Sequence, residues 1–361
     1  MLIKEGSAII DIPEVFLSKK SAVFYNPLMK INRDFTIILL KSFYQIRKKR
    51  LDILDAMAAS GIRSIRILKE IPDVVNNIKV VDIKKEAIEN IKKNFLLNNL
   101  KDNYEILKED CRIIMYKEKF DYIDIDPFGS PIGFIQPAVN SLKNFGLLGV
   151  TATDISALSA SKPIAGLRKY GIIGYKTDFY LEFGIRVLAK YVIEEGIKFE
   201  SALIPIFAYY YKHHYRIFFI KSKKSKDIKN LLENIKKIFY CNKCGYKSDT
   251  ENICINCNKK MDELGPIYVG SLYEKRILDI FYNNCSILEL DKGEKKILER
   301  IVNCDSKLNL WYYYDIRYLS KFLKIKQIPK ISELIQINSG CRTHFSDYGI
   351  KCLNYPKIYI D

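Results

Sequence analysis

The chain has 361 residues, 48% of them hydrophobic and 28% charged, which is typical of a globular protein and argues against disorder or a coiled coil. Its 59 Lys and Arg residues exceed the 42 Asp and Glu residues by 17, which favours a polyanionic partner such as nucleic acid, although biased codon usage would have the same effect. No apolar run reaches the ~20 residues of a membrane span, and the first thirty residues contain no signal-peptide core. We therefore expect a soluble cytoplasmic protein with no membrane partner and no obligate protein partner. Its nine cysteines are expected to be reduced thiols or metal ligands.

The first predicted element is an amphipathic helix, since Phe35, Ile38, Leu39, Phe43 and Ile46 are spaced to lie on one helical face. Between residues 51 and 153, short apolar runs alternate with helical patterns. Strands are predicted at 51–56, 78–83, 104–107, 122–126 and 147–153, and helices at 62–70 and 84–98. This alternation predicts a parallel sheet with helices on both faces.

Two β-rich runs, 201–211 and 213–220, follow without a helix between them and predict an antiparallel hairpin that closes the sheet. A sheet with this ending is typical of class I methyltransferases and not of dinucleotide-binding dehydrogenases. The segment 221–237 holds seven lysines and predicts an exposed charged helix or a linker. We therefore expect an α/β, Rossmann-like domain over 1–222 and a smaller, basic α+β domain over 223–361.

Carboxylates follow the predicted strands at the edge where doubly wound sheets bind ligands. The turn after the first strand holds a single glycine, Gly61, so no Gly-x-Gly-x-x-Gly loop is available for a pyrophosphate. Asp82 is placed to accept hydrogen bonds from two ribose hydroxyls, while Asp110 and the backbone N–H of Cys111 can meet the adenine edge. This combination favours S-adenosylmethionine as the ligand.

Arg33 stands at the start of the first predicted helix, where the helix dipole disfavours a cation. Its partner is either an anionic ligand, such as a methionine carboxylate held bidentately, or Asp34 at the protein surface. The residues alone leave both alternatives open.

The fourth strand ends in Asp124-Ile125-Asp126-Pro127-Phe128-Gly129, at the methyl-transfer position of the fold. Methyltransferases acting on adenine or cytosine amines commonly carry Asn/Asp-Pro-Pro-Tyr/Phe there. The chain closely resembles the tRNA guanine-N2 dimethyltransferase family, which modifies guanosine 26 of tRNA, in this motif together with Phe24-Tyr25-Asn26-Pro27, Asn32-Arg33-Asp34 and Gly61-Ile62-Arg63. The resemblance spans essentially the whole chain and continues through 265–270 and 342–351.

The resemblance implies a tRNA-binding enzyme and roles for individual residues. It implies that S-adenosylmethionine is bound by Arg33, Arg63, Asp82, Asp110 and Cys111, and that the guanine pocket contains Phe24, Asp126 and Phe128. The chemistry agrees, because a carboxylate at Asp126 can accept the proton that the amine loses on methylation. Phe24 and Phe128 can stack on a flipped-out base, although core packing is the more frequent role for a residue such as Phe24.

Other residues near these motifs have structural explanations that we favour. Asp124 either makes Asp126 a stronger base or faces a helix and is satisfied by backbone amides, and we expect the second. His213 and His214 cannot act as a pair, because adjacent strand residues point to opposite faces, and we expect packing in the hairpin in preference to a contact with RNA. The aromatic run 311–314 is expected to belong to the core of the second domain.

Two Cys-x-x-Cys units, separated by nine residues, lie in the second domain within the segment 241–257. Their thiolates, on Cys241, Cys244, Cys254 and Cys257, can hold one Zn²⁺ tetrahedrally. Four protein ligands leave no open coordination position, so we expect a structural zinc and not a catalytic one. The alternative is a metal-free loop with four reduced cysteines.

Two other functions remain open at this point. One is a non-catalytic, zinc-containing RNA-binding protein on a methyltransferase scaffold, against which the intact Asp82, Asp110 and Asp126 argue. The other is a methyltransferase for another nucleobase amine, which the acid at position 126 disfavours because adenine enzymes often place Asn there. The sequence leaves open whether one or two methyl groups are added and whether tRNA position 27 is also modified.

Overall fold

In the computed structural model, which describes residues 1–13, 23–325 and 328–358, the chain forms two compact units. Unit 1 comprises 1–152, 218–223 and 275–291, and unit 2 comprises 153–217, 224–274 and 292–361. Each unit is therefore built from three separate segments of chain. The division into functional domains at 222 stays a prediction.

The described strands, in chain order, are β1 (Leu2–Glu5), β2 (Ala8–Asp11), β3 (Leu51–Asp55), β4 (Val75–Asp82), β5 (Tyr104–Lys108), β6 (Phe120–Ile125), β7 (Leu142–Ala152), β8 (Ala202–Tyr211), β9 (His214–Ser222), β10 (Ile235–Tyr240), β11 (Lys247–Ser248), β12 (Asp262–Tyr268), β13 (Tyr314–Asp315), β14 (Cys341–Arg342) and β15 (Gly349–Lys351).

The described α-helices are α1 (Lys30–Arg47), α2 (Ile62–Glu70), α3 (Lys85–Leu97), α4 (Cys111–Lys117), α5 (Ile132–Ser141), α6 (Ile155–Leu158), α7 (Pro163–Tyr170), α8 (Tyr180–Ile197), α9 (Ser225–Glu233), α10 (Lys275–Asn283), α11 (Lys292–Arg300), α12 (Ser306–Leu308), α13 (Ile316–Phe322) and α14 (Ile331–Ile337). Short 3₁₀ turns cover Pro27–Met29, Pro72–Val74 and Asn284–Ile287, and a π-helical turn covers Ile301–Asp305.

A seven-stranded sheet has the order β5-β4-β3-β6-β7-β9-β8. The pairs β3–β4, β3–β6, β4–β5 and β6–β7 are parallel, whereas β8 and β9 are joined by two residues and form the predicted terminal hairpin. The predicted α/β, Rossmann-like sheet is confirmed. The chain leaves β3 towards β4 and β5 and returns on the other side at β6, which opens a crevice at the carboxyl ends of β3 and β6.

Helix α1 confirms the helix predicted before the sheet, but its first part has no exposed face, because every residue from Ile31 to Leu40 is buried. Phe35, Ile38, Leu39 and Phe43 are buried, and the helix ends at Lys48, which adopts a left-handed conformation. The buried residues include polar ones near the start of the helix, among them Asn32 and Arg33. A helix that buries polar side chains at one end must satisfy them there, and these two residues belong to the candidate site.

The lysine-rich segment differs from the prediction of one exposed helix or linker. Lys221 belongs to β9, only Ser225–Glu233 is helical, and Ile235 begins β10. Lys221 is buried, and its Nζ donates to the carbonyl oxygens of Val139 and Leu142 at 2.7 and 2.9 Å. Burial lowers the pKa of Lys221 to about 8. A high density of lysines predicts that most of their side chains are exposed, but it does not show which one is buried and bound to carbonyl groups.

Unit 2 contains two small sheets, with the orders β11-β10-β12 and β13-β15-β14. Trp311, Tyr313 and Tyr314 are buried and Tyr312 is partly buried, which confirms that the aromatic run is core. His214 is buried beside Tyr209, but His213 lies exposed in the turn of the hairpin, so the prediction that it packs there is wrong. No helix in the described residues is long and apolar enough to cross a membrane.

The prediction that the cysteines are reduced thiols or metal ligands is wrong for Cys304 and Cys341. These two residues form a disulfide, with their Cα atoms 5.3 Å apart. They are 37 residues apart in the chain, and β14 brings one to the π-helical turn that carries the other. Spacing alone does not reveal such a pair.

Candidate active site and metal centre

The turn between β3 and α2 depends on Gly61. Its N–H donates to the carbonyl of Ala58 at 2.7 Å, and its φ of +77° lies in the region that favours glycine. A Cβ at this position would meet the side chains of Phe95 and Ile91 at 3.2 and 3.3 Å. The glycine therefore allows the turn between β3 and α2 to pack closely against α3.

Asp82 connects this turn to the end of β4. Its carboxylate accepts from the backbone N–H of Ala59 at 2.9 Å and from that of Lys84 at 3.0 Å. The side chain is partly exposed at the strand end. Two backbone donors fix the carboxylate where the sequence places a ribose-binding acid.

Asp110 and Cys111 lie at the junction between β5 and α4. Asp110 caps the helix through the N–H of Arg112 at 2.9 Å, and the Arg112 guanidinium binds both carboxylate oxygens. The hydrogen bonds from Arg112 lower the pKa of Asp110. Burial raises the pKa of Cys111 to about 12, aided by the charge of Asp110, so the thiol stays neutral at physiological pH. The Cys111 thiol is therefore not a nucleophile, and its backbone N–H is the group suited to a ligand.

A cavity of about 340 Å³ lies at these strand ends within unit 1. The predicted site residues that line it are Phe24, Asp82, Asp110, Cys111 and Phe128. Its wall is mostly apolar and also contains Ala56, Met57, Ala59, Ile83, Lys84, Ala87, Glu109, Arg112, Pro127 and Phe134. An apolar cavity with a few acidic groups at its edge suits a nucleoside.

Asp126, one residue beyond β6, is bound by Arg63 from α2. The Nη2 atom of Arg63 lies 2.5 Å from Oδ2 of Asp126, and Nη1 lies 3.3 Å from Oδ2 of Asp124. Asp124 is buried and also accepts from the hydroxyl of Tyr122, so side chains help to satisfy it where backbone amides were expected. Burial raises the pKa of the neighbouring Asp55 to about 6 against the opposing charge of Arg63, and the two other acids add to the rise.

Phe24 and Phe128 contact each other edge to face. Their ring centroids are 4.5 Å apart and their planes lie at 75°. Phe128 is 46% exposed and Phe24 is partly buried, so neither ring belongs wholly to the core. Two aromatic rings at the rim of one cavity fit the expected base-binding role.

Arg33 is buried and does not pair with Asp34 at the surface, which excludes that alternative. Its Nε and Nη2 atoms bind the two carboxylate oxygens of Glu5 at 2.6 and 2.5 Å, and its guanidinium lies over the ring of Tyr25. Arg33, Arg63 and Asp126 are not among the residues that line the cavity. Their expected roles at the ligand stay predictions.

Some residues of the site escaped the sequence analysis. Glu5 binds both Arg33 and Arg66, while Arg112 and Phe134 lie together at the cavity, with the guanidinium 5.8 Å from the ring centroid. A glutamate in an N-terminal strand has no local signal that identifies its distant partners. The sequence does contain a local signal for Arg112. Asp110 precedes it by two residues at the start of a helix, where an acid can cap the helix and also bind the guanidinium.

The four predicted metal ligands come together in unit 2. The Sγ atoms of Cys241, Cys244, Cys254 and Cys257 all lie within 4.8 Å of one another, and the first three residues are buried. Four sulfurs at about 2.3 Å from one Zn²⁺ in a tetrahedron would be about 3.8 Å apart. The cluster therefore fits zinc without a large rearrangement.

The two halves of this cysteine cluster have the same backbone turn. Gly245 N–H donates to the carbonyl of Cys241 and Asn258 N–H donates to that of Cys254, both at 2.8 Å. Gly245 and Asn258 have φ values of +74° and +48°. Each turn thus points two thiols to one side, and glycine and asparagine tolerate the left-handed conformation it requires.

A model of the N2,N2-dimethylguanosine tRNA methyltransferase family matches residues 6–356. The chain belongs to this family. Among its relatives, the tRNA (guanine(26)-N(2)/guanine(27)-N(2))-dimethyltransferase of Aquifex aeolicus is 33% identical, and the match covers 97% of this chain and 92% of that protein. The tRNA (guanine(26)-N(2))-dimethyltransferase of Sulfurisphaera tokodaii is 34% identical over 97% of this chain and 95% of its own length.

A solved structure has the same fold over nearly the full length of this family member. It is Trm1 from Pyrococcus horikoshii in complex with S-adenosyl-L-methionine, with 30% sequence identity and a TM-score of 0.84. The superposition covers 97% of this chain and 96% of that one.

Proposed function

We propose that this chain transfers methyl groups from S-adenosylmethionine to the exocyclic N2 of guanosine 26 in tRNA, giving N2-methyl- and N2,N2-dimethylguanosine. The observation that carries the proposal is the site itself. Carboxylates at the ends of β4 and β5, on Asp82, Glu109 and Asp110, line a nucleoside-sized cavity together with the rings of Phe24 and Phe128. Membership of the family supports guanine as the base, and the names of both relatives include position 26, to which the name of the Aquifex aeolicus relative adds position 27.

We assign the contacts of S-adenosylmethionine to the residues predicted from the sequence. Asp82 would bind the ribose hydroxyls, Asp110 the adenine amino group, and the backbone N–H of Cys111 a ring nitrogen. Arg33 and Arg63 are proposed to serve the methionine carboxylate, and both would do so while bound to acidic residues of this chain. S-adenosylmethionine supplies an electrophilic methyl group on a sulfonium.

Asp126 is the proposed general base. The N2 amine of guanine is a weak nucleophile because its lone pair is delocalised into the ring, so a carboxylate that accepts its proton assists the attack. Positioning contributes as well, since attack on the methyl group requires a near-linear arrangement of nitrogen, carbon and sulfur. The target guanine must first leave the tRNA stack, and Phe24 and Phe128 would then separate and pack on its faces.

The rest of the tRNA is proposed to bind through phosphate contacts. The net charge of +17 favours a polyanion, and the basic region 223–361 is the proposed tRNA-binding domain beside a methyltransferase domain over 1–222. Zinc held by Cys241, Cys244, Cys254 and Cys257 would stabilise a small part of that region. Because all four ligands are protein thiolates, the metal would be structural.

Mass spectrometry of nucleosides tests the proposed activity. A tRNA transcript with guanosine at position 26 is incubated with protein and S-adenosylmethionine, and we expect N2-methylated guanosine that is absent when position 26 is adenosine. A non-catalytic RNA-binding protein would give no methylated product. Methylation of another base would contradict the proposed specificity.

The Asp126→Ala variant tests the proposed base. We expect turnover to fall by about 10²–10⁴-fold, the usual worth of a general base, while the affinity for S-adenosylmethionine stays within about threefold. Asp73→Ala is the matched control, because Asp73 is an exposed acid of unit 1 that pairs with Lys41. If Asp126→Ala keeps more than about a tenth of the wild-type turnover, Asp126 is not the base.

A further inference from the structure

Arg63 is held from several directions inside unit 1. It is 6% exposed, and its Nη1 atom donates to Oδ1 of Asn32 at 2.9 Å and to the hydroxyl of Thr36 at 3.2 Å. The same nitrogen lies 3.3 Å from Asp124, while Nη2 donates to Oδ2 of Asp126 at 2.5 Å. One terminal nitrogen thus holds the guanidinium in place, and the other holds the proposed base.

The groups that hold Arg63 are themselves fixed. The amide nitrogen of Asn32 donates to the hydroxyl of Thr151 at 3.0 Å, which orients its oxygen towards Arg63. The Thr36 hydroxyl donates to the carbonyl of Asn32 at 2.7 Å, so its lone pairs remain available to the guanidinium. Asn32, Thr36 and Thr151 are fully buried. The planar guanidinium therefore has one orientation, set by α1 and β7.

We propose that Arg63 is a positioning residue for Asp126, which extends the cofactor-binding role that the sequence resemblance implies for it. The inference rests on the proposed function, in which Asp126 is the base. Asp126 lies beyond the last residue of β6 and its side chain is 20% exposed, so its carboxylate would rotate without a partner. With Oδ2 bound to Arg63, Oδ1 is presented to the guanine.

This geometry serves the transfer of the methyl group from the sulfonium sulfur to N2 of guanine. The N2 lone pair forms a bond to the methyl carbon as the carbon–sulfur bond breaks, and the electron pair of that bond stays on sulfur. The proton released from N2 passes to Oδ1 of Asp126. Arg63 takes no proton and touches no reacting atom, and it contributes by fixing the direction from which the carboxylate meets the amine.

The first test separates the positioning role from cofactor binding. We expect Arg63→Gln to lower kcat, measured at saturating S-adenosylmethionine, by about 10²-fold, the usual cost of a misplaced catalytic group, in addition to any loss of affinity from its proposed contact with the methionine carboxylate. Arg63→Lys keeps the positive charge but not the planar guanidinium with its two terminal nitrogens, and we expect it to recover part of the lost kcat. A wild-type kcat at saturating cofactor, whatever the Kd, would assign Arg63 to cofactor binding alone and overturn the proposal.

A double-mutant cycle identifies the residue through which Arg63 acts. In an Asp126→Ala background, Arg63→Gln should lower kcat by less than about threefold, because the side chain it positions is gone. A full effect in that background would overturn the inference. The proposed function fails in a different way, because Asp126→Ala alone would then keep its turnover.

A third variant, Thr36→Val, tests the positioning role while keeping Arg63 itself, so that a folding defect caused by loss of the arginine is avoided. Thr36→Val removes one hydrogen bond to Arg63 without changing the shape of the residue, and we expect kcat to fall by about threefold or more. Ser42→Ala is its matched control, since Ser42 is also a buried hydroxyl of α1 that donates to the carbonyl four residues earlier. Thermal melts accompany both variants. Equal kcat values for the two variants would contradict the positioning role.

Discussion

At the scale of single residues, the acids of the site share one physical feature. Each carboxylate accepts hydrogen bonds from N–H donors, which come from the backbone for Asp82, from Arg112 for Asp110 and from Arg63 for Asp126. The sequence predicts where these acids lie, because strand ends can be read from apolar runs. It does not predict their partners, since those donors come from turns and helices whose orientation depends on the fold.

The edge-to-face pair of Phe24 and Phe128 leads to a residue-scale prediction. We expect Phe24→Ala and Phe128→Ala each to slow methylation by about tenfold or more, because stacking on one face of a base is worth about 1–3 kcal/mol. Total tRNA affinity should change little, since phosphate contacts supply most of it. Single-turnover methylation rates and filter binding of tRNA measure the two quantities.

The controls for the phenylalanine variants address stability. Tyr116→Ala replaces an exposed aromatic of α4 that does not line the cavity and should leave the rate unchanged. Circular dichroism melts must accompany the comparison. If Phe24→Ala melts well below the wild type while Phe128→Ala does not, Phe24 serves core packing and the proposed stacking role of that ring is wrong.

At the scale of elements, β1 is tied to α1 and α2 by one carboxylate. Glu5 accepts from Arg33, from Nη1 of Arg66 at 2.9 Å and from the hydroxyl of Tyr25 at 2.9 Å. Burial raises the pKa of Glu5, but the charges of the two arginines outweigh this and lower the pKa to about 2. The N-terminal hairpin is therefore held to unit 1 by an ionised and buried acid.

The lowered pKa of Glu5 predicts a contribution to the free energy of unfolding that is lost in acid. Because the pKa of Glu5 is lower in the folded chain than the ordinary value of 4.5, its contribution is complete above about pH 4.5 and is lost as the pH falls towards about 2. We expect the wild type to lose on the order of 2–3 kcal/mol of unfolding free energy from this residue in that interval. Denaturant titrations at a series of pH values measure the loss.

The comparison uses Glu5→Gln, which removes the charge and keeps the size of the side chain. This variant should be less stable at neutral pH and should show a flatter dependence between pH 4.5 and 2. Glu86→Gln, at an exposed position of α3, should follow the wild-type curve. Parallel curves for Glu5→Gln and the wild type would show that Glu5 does not supply the acid-dependent contribution.

Secondary structure was predictable wherever hydrophobic periodicity was strong. The helix predicted at 62–70 is α2, and the strands predicted at 51–56 and 104–107 are β3 and β5. Periodicity failed where a single contact decides the outcome, as at Lys221, whose ammonium group is buried against two carbonyl groups. The Cys304–Cys341 disulfide is a second example, because its partners meet only through tertiary structure.

At the scale of the whole molecule, the chain crosses between its two compact units several times. Segment 275–291 belongs to unit 1 although it follows the lysine-rich region, and 153–217 belongs to unit 2 although it carries β8. Composition changes along a chain reveal boundaries only when each unit is one continuous segment. The acidic site and the cysteine cluster nevertheless fall in different units, as the sequence predicts for the cofactor and the metal.

That separation supports a prediction about zinc. Changing both Cys244 and Cys257 to Ser removes two of four ligands, and we expect bound zinc to fall from about one equivalent per chain to well below it. Because metal binding is coupled to folding of a small module, tRNA affinity or soluble yield should also fall. The affinity for S-adenosylmethionine should be unchanged, since its proposed pocket lies in unit 1 and the cluster in unit 2.

Elemental analysis of protein purified without chelator measures the zinc content directly, and calorimetry measures cofactor affinity. Cys352→Ser is the matched control, because Cys352 is a buried, unbridged thiol of unit 2 that lies outside the cluster, with its sulfur 3.2 Å from the carbonyl of Asn354. It should retain the metal and the tRNA affinity. Zinc well below one equivalent in the wild type would show that the four thiols form a metal-free loop. A loss of cofactor affinity in the Cys244 and Cys257 double variant, with the wild-type melting temperature retained, would show that the cluster supports the cofactor pocket as well.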